Sequence, residues 1–291
     1  MRRAGDGAGL LLGMELPVIG GRHNPTSQAM VRALRKARLE LGRAAAQHEE
    51  SIEGAVLLSH PARRNTRTAD AALDVHCPEG CTPSGVLAEI DETFRRWRAR
   101  CTLIAPTEVE LDASWANALD EHGFTTVKRR VLMLTRDVTM TPHPQTFQAV
   151  PARALLPHYL QFVEADELTR GCSVETAREI AANESDHFDV DGFDVIALRR
   201  SGAIVASVSI QTVGEFGIVG EVRGRRAGEA SPEIESILWH LLDLCRRSQF
   251  RRVIAAIDPG DGFIAEVCSR LGMEEAASMM EYIRPAAEAH A

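Results

Sequence analysis

The chain has 291 residues, 45% hydrophobic and 25% charged, a globular balance that excludes disordered, fibrous and collagen-like classes. A formal net charge of -8 and a pI near 5.7 give no overall field toward nucleic acid or an anionic membrane, so neither partner is expected. No apolar run reaches the roughly 18 residues of a membrane span. The six cysteines are scattered, with no secretory leader ahead of them, which reads as free thiols in the cytoplasm.

This length suits one large or two ordinary domains. Residues 1–25 show no period and are expected to form a mobile arm. From Ser27 to about Glu50, Met30, Leu34, Ala37 and Leu41 recur at helical spacing among strong helix formers, which predicts one helix. GAVLLSH (54–60) and TADAALDV (68–75) read as strands. A helix from Pro83 to about Arg100 carries Val86, Leu87, Ile90, Phe94 and Trp97 on one face. CTLIA (101–105) reads as a strand, ASWANALDEHGF (113–124) as a helix closed by Gly123, and TVKRRVLMLTR (126–136) as a strand.

TMTPHPQT carries two prolines and no apolar period, which places a boundary near 138–146, between domains over 26–138 and 146–285. In the second half, FQAV (147–150) is a short strand and 154–184 is helical around Tyr159, Leu160, Phe162 and Val163. FDVIALRR (193–200), a turn at Ser201-Gly202 and AIVASVSIQTV (203–213) predict a hairpin. Then come strand FGIVGEV (216–222), helix PEIESILWHLLDLCRR (232–247), strand RVIAAI (252–257), helix FIAEVCSRLGM (263–273) and strand SMMEYIR (278–284). Two features recur 149 positions apart: Thr82-Pro83 with Ser231-Pro232, and Gly123 with Gly272. The first pair starts helices and the second ends them, which points to a diverged duplication of a mixed α/β unit.

The order hairpin, strand, loop, helix, strand, helix ending Leu271-Gly272-Met273, strand resembles the GNAT superfamily of acyl-CoA-dependent N-acetyltransferases over roughly 146–285. The whole chain then resembles the family's tandem members. HCPEGCTPSG (76–85) stands where the phosphate loop would fall in the first half, and with LDEHGF (119–124) implies a degenerate N-terminal domain that shapes the acceptor cleft. The resemblance implies acetyl-CoA as co-substrate, direct transfer to a small-molecule or peptide amine, and no need of a metal. It sets acetyl-CoA against Ile218, Val219 and Val222 and on the loop Arg223, Gly224, Arg225, Arg226, Ala227 and Gly228. That loop fits the family pattern Arg/Gln-x-x-Gly-x-Gly/Ala in two registers, one from Arg223 with Arg226 in place of the middle glycine, the other with Arg225, Gly228 and Ala230. Glycine serves there because a phosphate must approach the main chain, where a Cβ obstructs it. Pro232, Glu229 and Glu233 oppose an anion nearby. A basic surface turn before a capped helix is the competing reading, and with it a catalytically inactive acyl-CoA-binding or protein-interaction module.

For the base, the family's strand-four carboxylate corresponds to Glu215 or Glu221, which strand alternation puts on one face; Glu215 is preferred. Cys268 stands where many members carry a tyrosine acid, though a cysteine on an apolar helix face is more often core filling. His76, Cys77, Cys81 and Cys101 lack two paired ligand sets for zinc. DHFDVDGFD (186–194) fails the calcium-loop pattern and is expected as an acidic loop near the rim of the acceptor site.

Overall fold

The computed structural model describes residues 25–63, 69–136, 147–224, 231–247 and 252–284. The expected arm, apart from Pro25, and the expected boundary at 138–146 fall outside them. Helix α1 (Ser27–Ala45) starts on Thr26, whose hydroxyl oxygen accepts the Ala29 N–H at 3.2 Å, satisfying a donor that the helix leaves open. It does not run on to Glu50. His48–Ile52 is strand β1 instead, paired at five positions with β2 (Ala55–Ser59). Ladder bonds to a partner outweigh the modest helix propensity of HEESI, and exposed Glu49 keeps this edge from recruiting another strand.

Strand β3 (Asp70–Val75) leads to α2 (Pro83–Arg96), which begins on Thr82 as its sequence requires, the Thr82 oxygen accepting the Gly85 N–H at 3.2 Å. α2 ends before Arg100, because Trp97 leaves the helix and Arg98 turns to φ 55°. β4 (Leu103–Pro106), α3 (Trp115–Glu121) and β5 (Thr125–Leu134) follow. After β6 (Gln148–Pro151), the helical stretch divides into α4 (Leu156–Thr169) and α5 (Val174–His187). Gly171 breaks it at φ 91°, and Ser173 restarts it by accepting the Thr176 N–H at 3.1 Å. β7 (Phe193–Arg200) and β8 (Ala203–Val213) form the hairpin, Ser201 and Gly202 both taking the positive φ that its tight turn needs. β9 (Phe216–Arg223), α6 (Pro232–Arg247), β10 (Arg252–Ile257), α7 (Gly262–Arg270) and β11 (Met273–Ile283) complete the chain.

The eleven strands make one sheet in the order β1-β2-β3-β4-β11-β5-β10-β9-β8-β7-β6. The last strands of the two sequence halves interleave at its centre: β5 lies between β10 and β11, and β11 between β5 and β4. Read outward from that pair, β10-β9-β8-β7 on one side repeats β4-β3-β2-β1 on the other. The recurring positions fall at equivalent places, Pro83 and Pro232 opening α2 and α6, Gly123 and Gly272 following α3 and α7 at φ 75° and 96°. Because β5 and β11 pair at ten positions, each half needs the other to cover its inner edge. Residues 1–136 and 147–291 expressed separately are expected to be insoluble, and co-expressed to give one soluble 1:1 complex by gel filtration. Soluble, monomeric single fragments would contradict this.

Helices cover both faces of the sheet. α6 and α7 pack through Ile237, Leu241 and Val267 on Leu132, Val219 and Val253, and α2 and α3 cover the same face of the first half through Leu87, Ile90 and Trp115. The other face carries α1, whose Met30, Val31 and Leu34 meet Val131, Ile218 and Ile254. There α4 and α5 cover Val195 and Ala197. Alternation along the strands supplies both sets. No helix among the described residues is long and apolar enough to cross a membrane.

Candidate functional site

β9 and β10 run parallel from Phe216/Arg252 to Val219/Ala255, and there their pairing stops. Beyond it β9 follows β8, with Val222 opposite Val208, while β10 follows β5, with Ile257 opposite Arg130. The local cause is a bulge: Gly220 and Glu221 together stand against the single Ser209 of β8, which bends the strand and interrupts its ladder. A Cβ on Gly220 would lie 2.4 Å from Ser209 Oγ, so glycine suits this close approach. The equivalent parallel pair in the first half does not part, β3 and β4 remaining together from Ala71/Leu103 to Val75/Pro106 across an irregularity.

A cavity of about 740 Å³ opens at the parted strands. Leu34, Ala37 and Leu41 of α1 line it on one face of the sheet, and Leu238 of α6 with Ile264 and Cys268 of α7 on the other. It therefore passes through the sheet. The residues expected against the co-substrate, Ile218, Val219 and Val222, are in its wall, as is Glu221.

Other expected site residues lie elsewhere. Glu215 sits in the turn before β9, outside the cavity wall, with Arg252 Nη1 at 2.5 Å. The alternation that set it beside Glu221 fails because Glu215 precedes the strand and the bulge shifts the register. Glu221 is held by Arg170, Nη1 donating to Oε1 at 3.0 Å, and the same guanidinium donates to the Val222 carbonyl at 3.2 Å. Arg223 points inward rather than toward a phosphate: it is 4% exposed, paired with Glu167 and, at 3.0 Å, with Glu184. The charge of a buried guanidinium requires such partners. Gly224, at φ 99°, passes so close to β8 that a Cβ would meet the Val205 carbonyl oxygen at 2.3 Å, and its N–H donates to Asp166 Oδ1 at 3.1 Å. Arg225, Arg226, Ala227 and Gly228 lie outside the described residues.

Cys268 lines the cavity, but it is fully buried and burial pushes its thiol up to about 12. It stays a thiol near neutral pH and is a weak proton donor. Among the described residues no cluster of His, Cys, Asp and Glu could hold a metal.

Several groups at the site were not anticipated. Asp166 and Glu167 lie in the last turn of α4 and Arg170 caps it, and their signal was the run of charge at the end of that helix. Burial raises the pKa of Asp166, against the pull of Arg170 and Arg223. His60, at the end of β2, and His187, at the end of α5, both line the cavity, and burial lowers both imidazoles below their ordinary value. His187 and Phe193 put both ends of the acidic loop at the cavity wall.

No family model and no curated protein matches the sequence. Among solved structures the chain is similar to a GCN5-related N-acetyltransferase from Kribbella flavida, at 16% identity and TM-score 0.61, covering 89% of this chain and 97% of that one. It is similar also to a functionally unknown conserved protein from Staphylococcus epidermidis, at 11% identity and TM-score 0.58, covering 82% and 94%. A third likeness is to a tandem GNAT protein from the clavulanic acid biosynthesis pathway, at 14% identity and TM-score 0.51, covering 89% and 95%. The chain has the GNAT fold, built on a mixed α/β sheet, as its element order implied.

Proposed function

We propose that this protein is an acetyl-CoA-dependent N-acyltransferase that transfers the acyl group directly to a small-molecule or peptide amine. The observation that carries the reading is the parting of β9 and β10 with a cavity running through the opening. Past Val219, no described strand pairs with β9 on its β10 side, so the main-chain groups there, apart from the Val222 carbonyl that Arg170 takes, are available to an extended thioester arm as a strand's would be. Donors on the β9 bulge would stabilise the oxyanion formed on attack. The first half, whose β3 and β4 stay joined, serves as the acceptor-shaping partner, and the protein works in the cytoplasm.

A second reading is favoured by one contact. Asp166 occupies the Gly224 N–H, a donor at the mouth of the expected phosphate loop, as suits a scaffold that binds acyl-CoA weakly or serves as an interaction module. Thermal unfolding with acetyl-CoA or CoA separates the readings, because a ligand of the native state raises the midpoint by mass action. We expect a rise with both, and thiol release when primary amines are added to the acetyl-CoA sample. A rise without thiol release supports the binding module; no rise at about 1 mM ligand, roughly a -4 kcal/mol affinity limit, defeats the transferase.

A further inference from the structure

Two guanidinium groups line the cavity with the carboxylate that joins them set behind. Arg38 of α1 and Arg129 of β5 are in the wall, with 25% and 18% of their side chains accessible, whereas Glu281 of β11 is fully buried and outside it. Glu281 Oε1 accepts from Arg38 and, at 3.4 Å, from Arg35; its Oε2 accepts from Arg129 Nε at 2.8 Å. Asp258, also in the wall, places Oδ1 2.8 Å from Arg129 Nη1. Arg35 is 5% exposed and is not in the wall, so Arg38 and Arg129 are the members of this cluster that a ligand can reach.

A guanidinium carries five N–H bonds. Arg38 uses Nη1 on Glu281, and Arg129 uses Nε and Nη1, so Arg38 Nε and Nη2 and Arg129 Nη2 have no partner among the described residues. Three guanidinium groups here meet two directly paired carboxylates, Glu281 and Asp258, which leaves one positive charge without a contact partner. Asp74 attracts Arg35 from a distance and is not in the wall. Elsewhere in the wall Arg170 holds Glu221, and Asp261 stands in the turn ahead of α7. Leu34 and Leu41 lie four and three positions from Arg38 on the same face of α1. Val127 lies two positions from Arg129 on the same face of β5, and all three line the cavity. The unused donors therefore open beside apolar surface, where a hydrogen bond to an anion is stronger than in water.

We propose that Arg38 and Arg129 form a carboxylate-binding subsite of the cavity, and that its ligand is a monocarboxylate whose apolar body rests on Leu34, Leu41 and Val127. The planar guanidinium presents paired N–H bonds to the two oxygens of a carboxylate. One uncompensated positive charge matches one negative charge; a phosphate dianion brings a second that nothing in the cluster neutralises, and its desolvation is not repaid. A cation is repelled, and an alcohol forgoes the ionic part of the bond. Glu281 keeps both arginines in place from behind, so the subsite is formed before a ligand arrives. Within the transferase reading, on which this last assignment rests, the subsite selects acceptors that carry an acid group. Binding of the carboxylate itself does not depend on that reading.

The test titrates the intact, arginine-labelled protein with hexanoate, hexylamine, 1-hexanol and inorganic phosphate, following arginine Nε–H signals by NMR. Arg38→Lys and Arg129→Lys, which keep a charge beside Glu281, assign the two signals. Hexanoate is expected to shift both signals saturably while the other three probes leave them in place. Hexanoate affinity, measured by calorimetry, should fall about tenfold in Arg38→Gln, the scale of one charge-assisted hydrogen bond, and recover in part in Arg38→Lys. No response of the wild type to hexanoate, or an equal response to hexanol, hexylamine or phosphate, overturns the proposal, and this holds even if Arg38→Gln does not fold. The phosphates of CoA are the other anionic source. CoA that shifts the same signals and displaces hexanoate assigns the arginines to the co-substrate and overturns the proposal; hexanoate affinity undiminished at saturating acetyl-CoA supports it. A wild type that binds no acetyl-CoA defeats the transferase reading, and the hexanoate titration then decides the carboxylate subsite by itself.

Discussion

Glu281→Ala is expected to lower the unfolding free energy by about 3–5 kcal/mol, the range for removing one partner of a buried ionic cluster. Glu281 is fully buried on β11. It meets Arg38 and Arg35 of α1 and, at 2.8 Å, Arg129 of β5. Burial, with the neighbouring Arg38 and Arg129 charges, pulls Arg35 down to about 10 even with Glu281 present, so removing the carboxylate leaves three neighbouring guanidinium groups of which, among the described residues, Arg129 alone keeps a direct carboxylate partner, Asp258 at 2.8 Å. Burial would also raise the pKa of Glu281, but Arg38, Arg129 and Arg35 outweigh that and hold it below the usual carboxylate range. A depressed pKa contributes stability above the unfolded-state value, and that stability is lost as pH falls through the folded-state value. Urea unfolding should therefore show a large gap between wild type and variant near neutral pH that narrows below about pH 4. A gap under about 1 kcal/mol at neutral pH, the worth of a surface pair, would show that the cluster does not tie α1 to the centre of the sheet.

Filling the gap should remove acetyl-CoA binding with little damage to the fold. Ala256 is the first residue of β10 past its last pair with β9; it is half-buried, opposite Val131 of β5, and in the cavity wall. Ala256→Trp sets an indole in the opening, at an overpacking cost of about 1–3 kcal/mol. We expect acetyl-CoA affinity to weaken at least about 100-fold, near 3 kcal/mol, measured by calorimetry, with the far-ultraviolet circular dichroism unchanged. Undiminished affinity in a folded Ala256→Trp protein would show that the parted strands are not where the thioester enters.

The expected elements match where a local signal existed. α2 and α6 begin at prolines, α3 and α7 are followed by left-handed glycines, and the hairpin turns at Ser201-Gly202. β1 was not legible, because HEESI becomes a strand only when β2 lies beside it. Ile218, Val219, Val222, Glu221 and Cys268 stand in the cavity wall, since a strand's position in the element order already says which strand flanks the opening. Arg223 and Gly224 do not, because the charged end of α4 claims the guanidinium and the main-chain donor, and nothing near position 223 announces that helix.

Periodicity, capping residues and turn glycines act within a few positions of one another, so the amino-acid order was enough to settle nearly every helix and strand and their grouping into a mixed α/β chain. The exchange of β5 and β11 and the bulge opposite Ser209 depend on segments up to about half the chain apart. Such pairings cost loop entropy that only the assembled sheet and its buried surface repay. No local pattern encodes them, and they emerge only with the packed fold.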